Sequence, residues 1–139
     1  MSHPLDPVTA RRIQAHLTAT IPGLQAIYVF GSAAGPDWRP DSDVDIAVLA
    51  AQPLGGLPRF ETAQSLARIV GREVDLIDLR EASAVLRFQV IANGERLYAT
   101  PDAAVTEFED FVFSDYARLN EERAGILSDI ASRGSVYGG

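Results

Sequence analysis

Residues 28–49 read YVFGSAAGPDWRPDSDVDIAVL, and this stretch constrains the chain more than any other. An apolar, β-branched run ends in Gly31-Ser32. Ten residues follow, rich in Gly, Pro and Asp, and then Asp43 and Asp45 open a second apolar run. The pattern predicts two strands joined by a polar loop. Side chains alternate along a strand, so Asp43 and Asp45 share one face while Val44, Ile46 and Val48 point the other way, into a core. Two neighbouring carboxylates on an open face repel each other and are costly without a counter-charge. A divalent cation supplies one, and Mg²⁺ commonly binds through one or two carboxylates plus substrate phosphates. Gly31 has no Cβ and lets the backbone approach a phosphate; Ser32 adds a hydroxyl and an N–H. A helix or turn starting there would offer free N–H groups to an anion. One end of the loop can then hold a triphosphate and the other the metals that bridge it, as two-metal phosphoryl chemistry requires. The plain alternative is a solvated hairpin with surface acids.

A third carboxylate is expected from a neighbouring strand, in Glu73-Val-Asp-Leu-Ile-Asp78. Alternation separates the two aspartates there. Asp75 shares a face with Glu73, opposite Val74 and Leu76, whereas Asp78 falls on the core side at the strand end. The open acidic face favours Asp75, with Asp78 as the alternative.

Around this stretch the chain reads as one domain with alternating elements. Asp6 and Pro7 resemble an N-cap and first helical position. A helix to about Thr20 follows, with Val8, Ile13 and Leu17 as core contacts. Strands are expected at 24–30, 43–49, 73–79 and 95–99, and helices at 59–70 and 81–92. Asn93-Gly94 is read as a left-handed C-cap. Thr100-Pro101 opens a last helix running to about Ser132. Val105, Phe108, Val112, Tyr116, Leu119, Ile126 and Ile130 form one apolar face along it. Such a helix, about 45 Å long at 1.5 Å per residue, exceeds a domain whose radius of gyration is near 14 Å. It must break near Gly125, with both halves packed at home, or overhang and meet another chain. Phe111 and Phe113 beside the stripe add apolar surface suited to a partner. The Gly-containing end beyond Arg133 reads as a mobile tail.

Composition removes several function classes. The 139 residues contain no Cys, which excludes disulfides, thiol nucleophiles and cysteine-bound metals. Only His3 and His16 are present, so a His-rich metal site or a Ser-His-Asp triad is disfavoured. The net charge is −7, with 12 basic against 19 acidic residues, which argues against direct nucleic-acid binding. No apolar run approaches the roughly 20 residues of a membrane span, and the N-terminus lacks the features of a secretory signal, so a cytoplasmic location is expected. Between Asp102 and Arg133 eight acids face three bases. Such a helix is usually a solvated one, or it faces a basic partner.

Gly31-Ser32, ten residues, then Asp43-Val-Asp45 resembles the signature of the DNA polymerase β-like nucleotidyltransferase superfamily. More narrowly, the chain resembles the minimal nucleotidyltransferases of the MNT (MntA) type, antitoxins that act beside HEPN-domain ribonuclease toxins. The likeness extends to Val74-Asp-Leu-Ile-Asp-Leu79, Leu86-Arg-Phe-Gln-Val90, Asn93-Gly-Glu-Arg-Leu-Tyr98 and Glu121-Glu-Arg-Ala-Gly-Ile-Leu-Ser-Asp-Ile130. The resemblance implies an α/β (α+β) nucleotidyltransferase fold: a small mixed sheet flanked by helices, with a long C-terminal helix. Residues 1–100 would be the nucleotidyltransferase core and 101–139 a helix and tail for packing and partner contact, within a single domain. It further implies that Gly31 and Ser32 hold the triphosphate of ATP. Asp43, Asp45 and Asp75 would be the catalytic carboxylates around two Mg²⁺. AMP would pass to a tyrosine hydroxyl of the HEPN toxin, silencing it; the alternatives are an antitoxin that acts by binding alone, or transfer to a small hydroxylated molecule. One departure stands out: many relatives have an Arg shortly after Gly-Ser, whereas this chain has Ala33-Ala34-Gly35-Pro36, with Arg39 further along the loop. Trp38 is read as packing over the core edge, with stacking on adenine as its other role, and Arg87 as a surface or ion-pair residue. Tyr98, Tyr116 and Tyr137 are weak candidates for self-modification.

Overall fold

The computed structural model describes residues 6–36, 38–39 and 42–137, without side-chain placement at 129 and 131–137. His3 lies outside the described residues, as does the side chain of Tyr137. Helix α1 (Pro7–Thr20) leads into β1 (Leu24–Phe30), a 3₁₀ turn (Gly31–Ala34) and β2 (Val44–Ala50). Then follow α2 (Gly56–Val70), β3 (Val74–Asp78), α3 (Ala84–Asn93), β4 (Glu95–Ala99) and α4 (Ala104–Tyr137). The sheet order is β3-β2-β1-β4. Strand β1 is antiparallel to both β2 and β4, and β2 is parallel to β3.

The two central strands face a core on each side. On one face Ile27, Val29, Ile46 and Val48 pack with Ile13 and Leu17 of α1 and Leu66 of α2. On the other, Ala26, Tyr28, Ala47 and Leu49 meet Val90 of α3 and Val105, Phe108 and Val112 of α4. Asp43 and Asp45 have the parity of Ala47 and Leu49. Their face is therefore the α3/α4 face, left open only where the strands end.

Several boundaries differ from expectation for identifiable reasons. Val8 is exposed and Thr9 is buried; Thr9, Ile13 and Leu17 are four apart and share the face that Val8 leaves. Helix α2 begins at Gly56, ahead of Pro58 rather than after it, because proline is tolerated in a first turn, where N–H groups lack partners anyway. Helix α3 begins at Ala84, capped by Ser83, whose hydroxyl accepts from the Leu86 N–H at 3.2 Å. Gly94 is extended, with φ −83, and is not a left-handed cap. A Cβ there would run into the Val90 carbonyl and come within 2.9 Å of the Val29 carbonyl, so this glycine is needed for close approach. Helix α4 is capped by Asp102, not Thr100: the Asp102 carboxylate accepts from the Ala104 N–H at 3.2 Å and the Thr100 hydroxyl at 3.0 Å.

Helix α4 is 34 residues long, passes through Gly125 unbroken and extends five residues beyond Ser132. Its first turns are packed, but residues 121–128 are all exposed. Ile126, Leu127 and Ile130 are 57–65% exposed, so the described residues leave the outer half of the apolar stripe largely uncovered. The inner half is fixed by an aromatic group. Phe88 of α3 stacks on Tyr116 at 3.8 Å and meets Phe113 edge-on at 5.6 Å.

A buried polar contact ties α4 to the sheet. The Tyr28 hydroxyl donates to Glu109 at 2.6 Å, and Arg96 lies 3.3 Å from the same carboxylate. Burial, then the Glu109 hydrogen bond, pushes the Tyr28 phenol well above its ordinary value, so it stays a donor. Tyr28→Phe should cost about 1–2 kcal/mol, because the neutral donor to a charged acceptor is lost while Arg96 still serves Glu109. Urea unfolding should show the midpoint falling with an unchanged slope.

Candidate active site

The three aspartates come together at one end of the sheet. In the parallel β2–β3 pair Asp45 stands opposite Asp75, and in the antiparallel β1–β2 pair it stands opposite Phe30. A row Asp75–Asp45–Phe30 therefore crosses three strands on the α3/α4 face. Asp43 lies one residue before β2, not inside it, and is exposed like Asp75. Asp45 is the most enclosed of the three. Its burial, then the charges of Asp75 and Asp43, hold its carboxyl above the usual carboxylate range. Among the described residues none of the three is in an ion pair. Nor do three acidic or histidine side chains there form a set that could hold a metal ion by themselves. The site is thus an uncompensated cluster of negative charge that needs further ligands to complete a metal shell.

Gly31 sits beside it with φ +68, in the left-handed region. A Cβ at this position would collide with the Asp45 carboxylate. Glycine is needed here twice over, for its backbone angle and for the space. The 3₁₀ turn starting at Gly31 has no side-chain cap, so its leading end is available to an anion. Next to it, a cleft of about 480 Å³ opens between the turn and α3, lined by Phe30, Gly31, Ala34, Gly35, Gln89 and Asn93. Sequence reading gave Phe30 and Gln89 no place in the site, and read Asn93 only as part of a helix cap. The trace of the last two is a pair of amides four residues apart in a mostly apolar helix.

Other residues take structural places. Asp78 is only 4% exposed; its carboxylate accepts from the Leu54 N–H at 2.8 Å and the Arg80 N–H at 3.0 Å, which fixes the loops after β2 and β3. Trp38 packs against the α1/α2 core with the Arg72 guanidinium 5.3 Å from its ring centre. Arg87 is a scaffold residue, not a surface or ion-pair one: it donates to the Leu79 and Arg80 carbonyls at 2.7 and 2.8 Å. His16 shares a 2.7 Å hydrogen bond with Ser65 and links α1 to α2. Arg39 is exposed. A larger groove of about 820 Å³, between the end of α1 and α2, contains none of the aspartates. No helix among the described residues is long and apolar enough to cross a membrane.

Residues 13–103 match the family described as Polymerase beta, Nucleotidyltransferase. The chain belongs to this nucleotidyltransferase family. Its fold is that of the nucleotidyltransferases, and the Gly31 turn and paired strands fall within the matched region. The nucleotidyltransferase is 43% identical over 126 residues to the protein adenylyltransferase MntA of Shewanella oneidensis, covering 91% of this chain and 90% of that one. It is also similar to a chain in a crystal structure of a toxin-antitoxin with AMP-PNP, at 41% identity and a TM-score of 0.78, covering 88% and 98% of the two chains. A third likeness is to a structure of the tri-AMPylated Shewanella oneidensis HEPN toxin in complex with MNT antitoxin, at 40% identity and a TM-score of 0.73, covering 89% and 97%.

Proposed function

We propose that this nucleotidyltransferase transfers AMP from ATP to a tyrosine hydroxyl of a HEPN toxin and thereby inactivates it in the cytoplasm. The observation that carries the reading is the register pairing of Asp45 with Asp75 beside the left-handed Gly31. It sets carboxylates without counter-charge against a backbone turn able to take phosphate. The likeness to MntA and to the AMPylated toxin complex supports both the group transferred and the partner.

Asp43 and Asp45 fit Mg²⁺ through the chemistry of their oxygens and their unneutralised charge, with phosphate oxygens as the remaining ligands. Two such ions, when bound, would neutralise the carboxylates and draw charge from the phosphates during displacement. Gly31 and Ser32 orient the triphosphate. Asp75, on the far side of Asp45 from the turn, faces the acceptor and takes the tyrosine proton. The phenolic oxygen forms its bond to the α-phosphorus as the bond from that phosphorus to the pyrophosphate oxygen breaks. Pyrophosphate then leaves from the Gly31 turn. Residues 101–139 serve partner contact through the uncovered outer stripe of α4.

Intact-mass analysis tests this directly. With ATP, Mg²⁺ and the HEPN partner, the partner should gain one or more AMP units of about 329 Da each. The Asp43→Asn, Asp45→Asn double variant should give none. An unmodified but stably bound and inhibited toxin would replace the reading with antitoxin action by binding alone.

A further inference from the structure

We propose that Trp38 and Arg72 are positioning residues that hold Asp43 in place for metal binding, by anchoring the loop between the Gly31 turn and β2 on the far side of the sheet. The inference rests on the adenylyl-transfer reading and adds what fixes the one carboxylate of the three that no strand carries. Asp45 and Asp75 stand opposite each other in paired strands. Asp43 lies one residue before β2, is exposed, and takes part in no ion pair among the described residues. Its place depends on the chain that leads to it.

Trp38 stands midway between Ser32 and Asp43 in the sequence. Its side chain packs into the α1/α2 core, against the cluster that contains Ala33 of the turn and Val44 of β2. Asp43 and Asp45 have the parity of the opposite, α3/α4 face. The loop is therefore anchored on one side of the sheet and delivers a carboxylate to the other.

Arg72 joins this anchor to β3. Its guanidinium lies 5.3 Å from the Trp38 ring centre, an attractive placement for a cation over an indole. The backbone carbonyl of the next residue, Glu73, accepts from the Val44 N–H at 3.0 Å. Asp43 thus sits between two attachments to the same stretch of chain, one five residues before it and one directly after it. A turn between them, in which the Ser42 N–H donates to the Arg39 carbonyl at 3.0 Å, takes up slack. Supports of this kind behind a metal ligand are typically worth about tenfold or more in metal affinity. By linkage, metal binding must tighten the Trp38 anchor by the same factor that the anchor favours the metal.

Trp38 is the chain's only tryptophan, so its fluorescence reads this loop alone. Saturating AMP-PNP with Mg²⁺ should lower its quenching by acrylamide about twofold. AMP-PNP in chelator should leave quenching unchanged, and Asp43→Asn, saturated with AMP-PNP and Mg²⁺, should lose the response. In AMP transfer to the HEPN partner, Trp38→Ala should raise the Mg²⁺ concentration for half-maximal rate about tenfold, with kcat at saturating Mg²⁺ changed less than about twofold. Trp38→Phe should restore most of the Mg²⁺ affinity. Arg72→Ala should weaken it with the indole in place, and carries the kinetic test if Trp38→Ala fails to fold. An unchanged Mg²⁺ requirement in Arg72→Ala overturns the inference, as does a Trp38→Phe variant as impaired as Trp38→Ala. Protection from quenching that AMP-PNP gives without Mg²⁺, or that survives Asp43→Asn, also overturns it, since Trp38 would then stack on the nucleotide. A wild type that transfers no AMP overturns the adenylyl-transfer reading, while the quenching measurement still decides the anchor.

Discussion

Asp45→Asn should abolish AMP transfer, by about a thousandfold or more, and at the same time stabilise the metal-free protein. The first effect follows because a carboxylate that anchors charge compensation at the phosphates is worth several kcal/mol to the displacement. The second follows from the site's electrostatics. The folded protein holds the Asp45 carboxyl above its ordinary value through burial and through Asp75 and Asp43, so the ionised form is disfavoured by folding. Its contribution to stability is complete below the unfolded-state value and is lost as pH rises through the raised folded value. At neutral pH the wild type bears the whole penalty and the asparagine variant does not. Thermal melts in chelator should show a higher melting temperature for the variant at pH 7, with the difference shrinking in acid. Asp45 is partly open to solvent, so the gain is modest. An equal or lower melting temperature at pH 7 would contradict this account of the carboxylate cluster.

Gly31→Ala should be nearly as damaging to activity, for steric reasons. At φ +68 an alanine carries backbone strain, and its Cβ would strike the Asp45 carboxylate. The turn and the metal-side carboxylate cannot both keep their places. We expect a loss of about 100-fold or more in transfer, together with about 1–3 kcal/mol of stability. The contrast with Gly71→Ala is informative. Gly71 also has a positive φ, +79, yet nothing lies within 4 Å of a Cβ there. That variant should share the strain and keep the activity, which a transfer assay beside a denaturant titration would show.

The strands were legible because each is a dense apolar run bracketed by turn residues, and alternation alone put Asp43, Asp45 and Asp75 on one face. What alternation cannot supply is register. That Asp75 rather than Glu73 stands opposite Asp45 depends on how two strands settle against each other, and both choices share the face. Val8 and Thr9 show a signal present but overlooked, since the spacing back from Leu17 and Ile13 leads to Thr9. Pro58 shows the reverse: left outside the helix expected at 59–70, it is a permitted first-turn proline of a helix that starts at Gly56. The cleft at Gln89 and Asn93 lay beyond sequence reading altogether, because its two walls come from distant segments.

Helix α4 joins two energetically different stretches in one continuous element. Its early part shares in global unfolding through Val105, Phe108 and Val112. Past about Leu119 its described residues are mostly exposed, and apart from an Arg118–Glu122 ion pair at 3.0 Å the helix there depends on its own backbone bonds, which makes it marginal in water. Amide hydrogens along this helix should therefore divide into slow and fast populations, with the divide where tertiary burial stops. A molecule that covers Ile126 and Leu127 would move that divide outward, so the position of the step reports occupancy directly.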